Sequence, residues 1–180
     1  MANFLKISKK IKKFNKSLSI EGDKSLSIRW ALFASQAEGV STCKNILRSE
    51  DVISTLKCLK KLGVHYKLTK NSCKIFGNGL SNFNYKKNTI IDAGNSGTLG
   101  RLIMGLLVHS KKKILIKGDR SLSKRDFLRV TKPLEKFGAK FKTNSGKLPI
   151  SIMGTKFPKP IKYYESRGSA QCKSSVMLAA

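Results

Sequence analysis

The sequence predicts an α/β fold assembled from repeated units of strands and helices. The octet GDKSLSIR, residues 22–29, returns as GDRSLSKR at residues 118–125, and LKKLGVHYK, residues 59–67, returns as LEKFGAKFK at residues 134–142. Each nonamer has the pattern of a helix end, a glycine and a strand start, and such internal echoes indicate duplicated supersecondary units. With 180 residues, the chain can form one or two domains with a sizeable core.

The elements of the first unit follow from apolar spacing and turn residues. A short strand at 18–20 leads into the first octet, after which a helix is predicted over 25–38, with Gly39 as its left-handed stop. Ser49 is expected to cap a second helix, which Gly63 ends. Further strands are predicted at residues 42–47, 64–68 and 73–76.

The second unit repeats this order. A strand at 89–92 leads into the glycine turn GNSGT, and an almost entirely apolar stretch predicts a buried helix at 99–108. A strand at 114–117 precedes the second octet and a helix that Pro133 is expected to break or kink, unless it begins the second half of that helix. Later strands are predicted at residues 148–153 and 161–164. The segment GSAQCKSS then predicts the start of another helix.

Composition limits the classes of partner. The formal net charge of +27, from 37 Lys and Arg against 10 Asp and Glu, predicts attraction of phosphorylated metabolites and polyanions. The lysines are scattered without interleaved aromatic residues, which favours a solvated exterior over a nucleic-acid surface. The four cysteines and two histidines lack zinc-ligand spacing and fit free thiols in a reducing cytoplasm. The basic first residues leave a transit peptide open, but the sequence shows no secretory signal and no long apolar run.

The two octets are predicted to form anion-binding turns. A turn that opens a helix leaves the first backbone N–H groups unpaired, where the helix dipole also favours negative charge. In the first octet, Lys24, the Ser25 hydroxyl and the Arg29 guanidinium can add donors for a phosphate or carboxylate. In the second octet, Arg125 takes the place of Arg29. For either octet alone, a capped helix with solvated cations explains the residues equally well.

Two more helix openings carry candidate ligand-binding residues. The turn GNSGT is followed one helical turn later by Arg101, although by itself it has the pattern of a plain glycine turn. In GSAQ, Ser169 can cap the helix and Gln171 can reach a ligand as donor or acceptor. Together, the four openings indicate a ligand, or a pair of ligands, with more than one anionic group.

As a set, these motifs resemble the EPSP synthases of the enolpyruvyl transferase family. The matching segments are GDKSLSIR, AEGVSTCKNILRSEDVISTLKCLKKLGV, DAGNSGTLGRLIMGLL, GDRSLSKR, and LPISIMG with SAQCKSSVMLA. The resemblance implies two domains of three βαβαββ units each, with most of one domain present in this chain. It assigns residues 1–20 to a basic segment and strand leading to the other domain, and residues 21–180 to a substrate-binding domain truncated at its C-terminal end.

The resemblance also implies an activity and a set of site residues. The activity is transfer of the enolpyruvyl group of phosphoenolpyruvate to the 5-hydroxyl of shikimate 3-phosphate, which releases phosphate and needs no metal or organic cofactor. The implied contacts to shikimate 3-phosphate are Lys24, Ser25, Arg29, Ser169 and Gln171. The implied phosphoenolpyruvate site is lined by Lys24, Gly97, Arg125 and Gln171. The residues implied to shape the turn are Asn95, Thr98 and Arg101.

In the family, the acid and base for proton transfer lie beyond this chain, apart from a contribution by Lys24. We therefore expect the chain alone to bind shikimate 3-phosphate weakly without turnover. The full-length enzyme is expected to be a cytoplasmic monomer without nucleic-acid or membrane partners. One alternative is the related UDP-N-acetylglucosamine enolpyruvyl transferase, which lacks the KSxSxR pattern, and another is a lysine-rich nucleic-acid-binding module.

Departures from the family pattern affect the expected site. They are Glu21 and Asp126, where proline is usual, Trp30, where alanine is usual, and Ala170, where some members have serine. Asp126 matters most, because a carboxylate beside Arg125 is expected to compete with phosphoenolpyruvate for the guanidinium.

Overall fold

The computed structural model describes residues 17–180 and, before them, residues 6, 8, 10, 13 and 15, so most of the predicted basic N-terminal segment lies outside the described residues. The helices are α1 (Lys24–Gln36), α2 (Glu50–Lys61), α3 (Gly97–Leu106), α4 (Leu128–Lys136) and α5 (Ala170–Met177). The strands are β1 (Glu38–Lys44), β2 (His65–Leu68), β3 (Ser72–Asn78), β4 (Thr89–Asp92), β5 (Ile114–Lys117), β6 (Lys140–Asn144) and β7 (Lys147–Met153). Short 3₁₀ turns lie after α3 at Leu107–His109 and before α4 at Leu122–Lys124.

The strands and helices repeat one topology. In the second unit the strand order is β4-β5-β7-β6, with β4 and β5 parallel and β7 antiparallel to both of its neighbours. The helix α3 connects the parallel pair, and α4 connects β5 to β6. In the first unit the order β1-β3-β2 is antiparallel throughout and corresponds to β5-β7-β6. The predicted α/β fold of repeated βαβαββ units is confirmed.

The nonamers occupy equivalent positions in the two units, whereas the octets do not. Gly63 and Gly138, with φ of +88° and +106°, follow α2 and α4 and lead into β2 and β6. The first octet precedes α1, but the second lies between β5 and α4. The octet echo was therefore wrong as a sign of duplication. Its shared residues have a local role, because Asp23 and Asp119 each accept a hydrogen bond from the backbone N–H three residues later, at 2.7 Å.

The predicted strands at 18–20 and 161–164 are wrong, since neither segment pairs with a strand in the described part of the chain. Residues 18–20 lie in the open, with Ile20 77% exposed and its carbonyl accepting a hydrogen bond from the Asn45 side chain. Residues 161–164 follow Pro160, which has no N–H for a sheet ladder. Apolar alternation forms a strand only where a sheet edge is available to pair with it.

The end of one helix and the cap of another differ from expectation. The helix α1 ends at Gln36, and Gly39 is not its stop but lies within β1 at φ +85°. Ser49 occupies the N-cap position of α2, yet its hydroxyl makes no capping hydrogen bond and is buried without a partner among the described residues. Glu50 and Asp51 still complement the positive end of the α2 dipole.

The helix α4 continues through Pro133, which is buried, so the expected break does not occur. Pro133 lies inside α4 and has no N–H to donate to the Arg129 carbonyl four residues earlier, so the helix continues with one intrahelical hydrogen bond missing there. The remaining predicted elements match the structure to within a few residues, and the strands at 89–92 and 114–117 match it at both ends.

The helix α3 lies at the centre of the core, where every residue except Arg101 is buried. The helix α5 packs beside it in the same direction, because Gln171 contacts Thr98 and, one turn later, Ser175 contacts the Arg101 carbonyl. The N-termini of α3 and α5 therefore lie at the same end of the domain, and their dipoles add there. Although α3 is highly apolar, none of the helices in the described residues is long and apolar enough to span a bilayer.

Candidate functional site

The GNSGT turn forms the N-terminal end of α3 and is tied to the second octet. Ser96 Oγ accepts a hydrogen bond from the Leu99 N–H at 3.2 Å and so caps the helix. Asn95 Nδ2 donates to Asp119 Oδ2 at 2.6 Å, and the Asp119 N–H donates to the Gly94 carbonyl at 2.9 Å. Two segments that the sequence predicts to bind anions therefore lie side by side.

Two arginine side chains converge on Gly97, the first residue of α3. A Cβ atom at Gly97 would lie 2.8 Å from Arg101 Nη1 and 3.0 Å from Arg125 Nη1. Because glycine has no side chain, both guanidinium groups approach the helix N-terminus, where the dipole favours an anion. Among the salt bridges between described residues, none includes either arginine, so both charges are available to a ligand.

The GSAQ loop brings the start of α5 into the same group. Ser169 Oγ accepts from the Cys172 N–H at 3.2 Å, which confirms the predicted cap. Gln171 Oε1 accepts from Arg101 Nη1 at 3.0 Å, and Gln171 Nε2 donates to Thr98 Oγ1 at 3.0 Å. We call the resulting group the arginine cluster, and its members are Gly97, Thr98, Arg101, Arg125 and Gln171.

The electrostatics of the arginine cluster favour a negatively charged ligand. Burial is the largest cause of a lowered pKa at Arg101, and the nearby charges of Arg125 and Arg129 lower it further. The Arg101 guanidinium also lies 4.9 Å from the centre of the Phe127 ring and donates to the Asp126 carbonyl at 3.3 Å. These contacts hold the guanidinium in place but do not neutralise it, so an anion among the arginines would relieve their repulsion.

Of the predicted site residues in the first octet, Arg29 has a direct contact with α5, next to this cluster. Arg29 Nη1 donates at 2.6 Å to the hydroxyl of Ser174, which lies one turn beyond Gln171 on α5. Lys24 Nζ lies 3.2 Å from Asp51 Oδ2 at the start of α2, and Ser25 is the second residue of α1. Within the described residues, no hydrogen bond or ion pair joins Lys24 directly to the arginine cluster.

The expectation that both octets open helices is wrong for the second. It contains a 3₁₀ turn, and α4 begins only at Leu128. Hydrogen bonds from the Leu122 N–H and from Asn95 lower the pKa of Asp119, so a carboxylate already occupies this turn. The second octet can therefore contribute the Arg125 side chain to a ligand, but not a cradle of backbone N–H groups.

Asp126 does not compete for Arg125, which corrects the expectation from the sequence. Its Oδ1 accepts a hydrogen bond from the Leu128 N–H at 2.8 Å, and no salt bridge between described residues joins it to Arg125. The carboxylate lies just before Phe127, the N-cap residue of α4, and accepts from the first N–H of that helix.

Replacing Asp126 by alanine is expected to lower the free energy of unfolding by about 1 kcal/mol, because the first turn of α4 loses its side-chain acceptor. Urea denaturation measures the change. Asp126→Asn keeps an acceptor and is the matched control, so we expect a smaller loss. An equal loss in both variants would mean that the negative charge, and not the cap, stabilises α4.

Two acidic residues that hold site elements in place were not predicted from the sequence. Asp51 was not predicted to contact a site residue, but it pairs with Lys24. Glu165 was not singled out, but its carboxylate binds Arg129 on α4. Acidic residues are scarce in this chain, which has 10 of them and a net charge of +27. That scarcity was the available signal that Asp51 and Glu165 have specific basic partners.

These features define a domain of βαβαββ units that gathers helix N-termini and arginines into one anion-binding region. The family model for EPSP synthase (3-phosphoshikimate 1-carboxyvinyltransferase) matches residues 8–180. The chain belongs to the EPSP synthase family.

Individual relatives agree with this assignment. The 3-phosphoshikimate 1-carboxyvinyltransferase of Thermoanaerobacter sp. (strain X514) is 42% identical over 176 residues, which are 97% of this chain and 41% of that protein. The enzyme of the same name from Bacillus subtilis (strain 168) is 38% identical over 94% of this chain and 40% of its own length. The solved EPSP synthase of Acinetobacter baumannii matches with a TM-score of 0.85 and 36% identity, over 90% of this chain and 37% of that one. The chain thus spans about two fifths of the length of the curated relatives that it matches.

Proposed function

We propose that residues 21–180 form the substrate-binding domain of an enzyme that transfers the enolpyruvyl group of phosphoenolpyruvate to the 5-hydroxyl of shikimate 3-phosphate. The single observation that carries this proposal is the convergence of Arg101 and Arg125 on the helix N-terminus at Gly97, beside Gln171. Family membership supports the reaction, because relatives that match 97% and 94% of the chain are named for it. Residues 1–20 lead to a second domain in this proposal.

The two substrates divide the site between them. Shikimate 3-phosphate contacts Ser169 and Gln171 at the start of α5 and Arg29 beside them, together with Lys24 and Ser25 at the start of α1. Phosphoenolpyruvate lies against Gly97 and Arg125, with Lys24 and Gln171 shared by both substrates. The remaining turn residues, Asn95, Thr98 and Arg101, hold the start of α3 in shape.

Fixed cations suit this chemistry. The tetrahedral intermediate keeps the phosphates of both substrates while charge moves at the reacting carbon, so positive groups that are already in place stabilise it without reorganisation. Asp51 holds the Lys24 ammonium 3.2 Å away, and Gln171 holds the Arg101 guanidinium. Lys24 contributes to proton transfer in this proposal, and no metal or organic cofactor takes part.

The cellular setting follows from the same proposal. The thiols of Cys43, Cys58, Cys73 and Cys172 are all free, which supports a reducing compartment. We infer a cytoplasmic enzyme that acts as a monomer when full length, without nucleic-acid or membrane partners.

Calorimetric titration of the 180-residue chain with shikimate 3-phosphate and with shikimate tests the function. We expect shikimate 3-phosphate to bind at least about tenfold more tightly, because charge-assisted hydrogen bonds to its phosphate are lost in shikimate. Arg29→Met should weaken the affinity for shikimate 3-phosphate about tenfold. Lys140→Met, which removes one positive charge from the exposed side of β6, is the matched control and should leave it unchanged.

Two results would contradict the proposal. One is equal affinity for shikimate and shikimate 3-phosphate. The other is binding to duplex DNA that falls steeply with salt while shikimate 3-phosphate does not bind, because that pattern belongs to phosphate-backbone recognition.

A further inference from the structure

The carboxylate of Glu165, a few residues before the GSAQ loop, is satisfied by three donors. Its side chain is 6% exposed. Arg129 Nη2 donates to Oε1 at 2.8 Å, the Arg167 backbone N–H donates to the same oxygen at 3.1 Å, and the Tyr163 hydroxyl donates to Oε2. These bonds, that of Tyr163 first, lower the pKa of Glu165 to about 2, so the group is ionised in neutral solution.

The partners of Glu165 belong to two different parts of the candidate site. Arg129 lies on α4, shortly after Arg125, whereas Arg167 lies two residues before Ser169. The carboxylate therefore joins the element that carries one side of the anion-binding region to the loop that carries the other.

The GSAQ loop depends on bonds of this kind. Residues 154–169 form neither helix nor strand, so no ladder of backbone hydrogen bonds fixes them. Gly168 has φ +68°, and a Cβ atom there would meet nothing within 4 Å. Packing at this glycine does not hold the loop, so side-chain bonds such as those of Glu165 fix the segment that leads into Ser169, which is itself bonded to α5.

Glu165 also controls the charge around the arginine cluster. Arg129 lies near enough to Arg101 for its positive charge to act on that guanidinium. The salt bridge to Glu165 compensates this charge and points the Arg129 guanidinium toward the loop. A neutral residue at position 165 would leave Arg101, Arg125 and Arg129 mutually repelling.

We propose that Glu165 is a positioning residue that fixes Ser169 and Gln171 relative to α4 and Arg125 and keeps Arg129 engaged outside the anion-binding region. The identity of the ligand that the GSAQ loop binds rests on the proposed function. The positioning itself is measurable without any ligand, so the two claims can fail separately.

Hydrogen exchange of individual amides in the 180-residue chain, followed by NMR, tests the positioning. In Glu165→Gln we expect exchange at the Arg167 and Cys172 amides to accelerate about tenfold, because the charge-assisted acceptor is lost. Amides of α2, far along the chain, should exchange as in the wild type. Glu135→Gln removes the same charge from an exposed position on α4 and is the matched control, with no change expected at either amide.

Unchanged exchange at both amides in Glu165→Gln would overturn the inference, and acceleration of all amides together would assign Glu165 a global structural role and overturn it equally. If Glu165→Gln does not fold, Tyr163→Phe removes one donor and keeps the carboxylate. It should accelerate the Arg167 amide by a smaller factor, and no acceleration there would overturn the inference.

The affinity for shikimate 3-phosphate provides the second readout. We expect Glu165→Gln to weaken it about tenfold, and Glu165→Asp, which keeps the charge with a shorter reach, to recover part of the loss. Wild-type affinity in Glu165→Gln would overturn the link between this residue and the site. If the wild-type chain itself binds no shikimate 3-phosphate, the proposed function fails, and the exchange rates alone decide the positioning.

Discussion

Replacing Gly105 by alanine is expected to lower the free energy of unfolding by about 3 kcal/mol, at the upper end of the usual cost of overpacking a core. A Cβ atom at Gly105 would lie 2.1 Å from the Ser175 carbonyl oxygen and 3.0 Å from its carbonyl carbon on α5. Both are backbone atoms, so a change of rotamer cannot relieve the clash and the two helices have to separate. Urea denaturation followed by circular dichroism measures the loss.

Gly100→Ala is the matched control on the same helix. Its Cβ atom would meet a ring carbon of Phe127 at 3.3 Å, which a small shift of that side chain relieves. Alanine also stabilises a helix interior by about 1 kcal/mol relative to glycine, so this variant should remain within about 1 kcal/mol of the wild type. Equal stabilities of the two variants would contradict the close parallel packing of α3 and α5.

Arg101→Met is expected to weaken the binding of shikimate 3-phosphate by a factor of about 10 to 100, the range of one or two lost charge-assisted hydrogen bonds. Methionine can still pack against Phe127, but it cannot donate to Gln171 Oε1 or to the Gly97 carbonyl. Gln171 then loses the contact that orients it, and the cluster loses one of its free charges. Calorimetric titration measures the change.

Arg101→Lys separates the charge of this residue from its geometry. Lysine keeps the positive charge, but its single ammonium cannot reproduce the planar fork that contacts Gln171, Gly97 and Asp126. We expect an affinity between those of the wild type and Arg101→Met. Wild-type affinity in the methionine variant would show that Arg101 does not orient Gln171 for the binding of shikimate 3-phosphate.

Much of the fold could be predicted because its signals are local. The apolar spacing predicts α2 and α3, and Gly63 and Gly138 mark equivalent turns because both adopt a positive φ. The octets led to a wrong prediction of duplication for the same reason, because their shared residues act only locally. An aspartate that caps a turn needs only the next few residues, whereas the place of that turn in a unit depends on strand pairing far along the chain. The strand predicted at 18–20 does not form, because alternation of apolar residues does not by itself provide a neighbouring strand to pair with.

The site was predictable as a set of residue types but not as a set of contacts. The predicted members Arg101 and Gln171 meet across 70 positions, a pairing that only the parallel packing of α3 on α5 creates. Asp126 was misjudged because the sequence shows it next to Arg125, while the structure directs its carboxylate to the Leu128 N–H. Glu165 belongs to no motif, since its partners are an arginine on α4, the hydroxyl of Tyr163 and the backbone N–H of Arg167.

The central claim is that helix N-termini and arginines at one end of this domain hold the phosphate of shikimate 3-phosphate. The most direct measurement is an NMR titration of the assigned 180-residue chain with shikimate 3-phosphate, with shikimate and inorganic phosphate as controls. We predict saturable shifts concentrated at the amides of Lys24, Ser25, Ser169 and Gln171 and at the Arg29 side chain, with neither control reproducing the set. Shifts spread over exposed lysines such as Lys74 and Lys142, and matched by inorganic phosphate, would contradict the account.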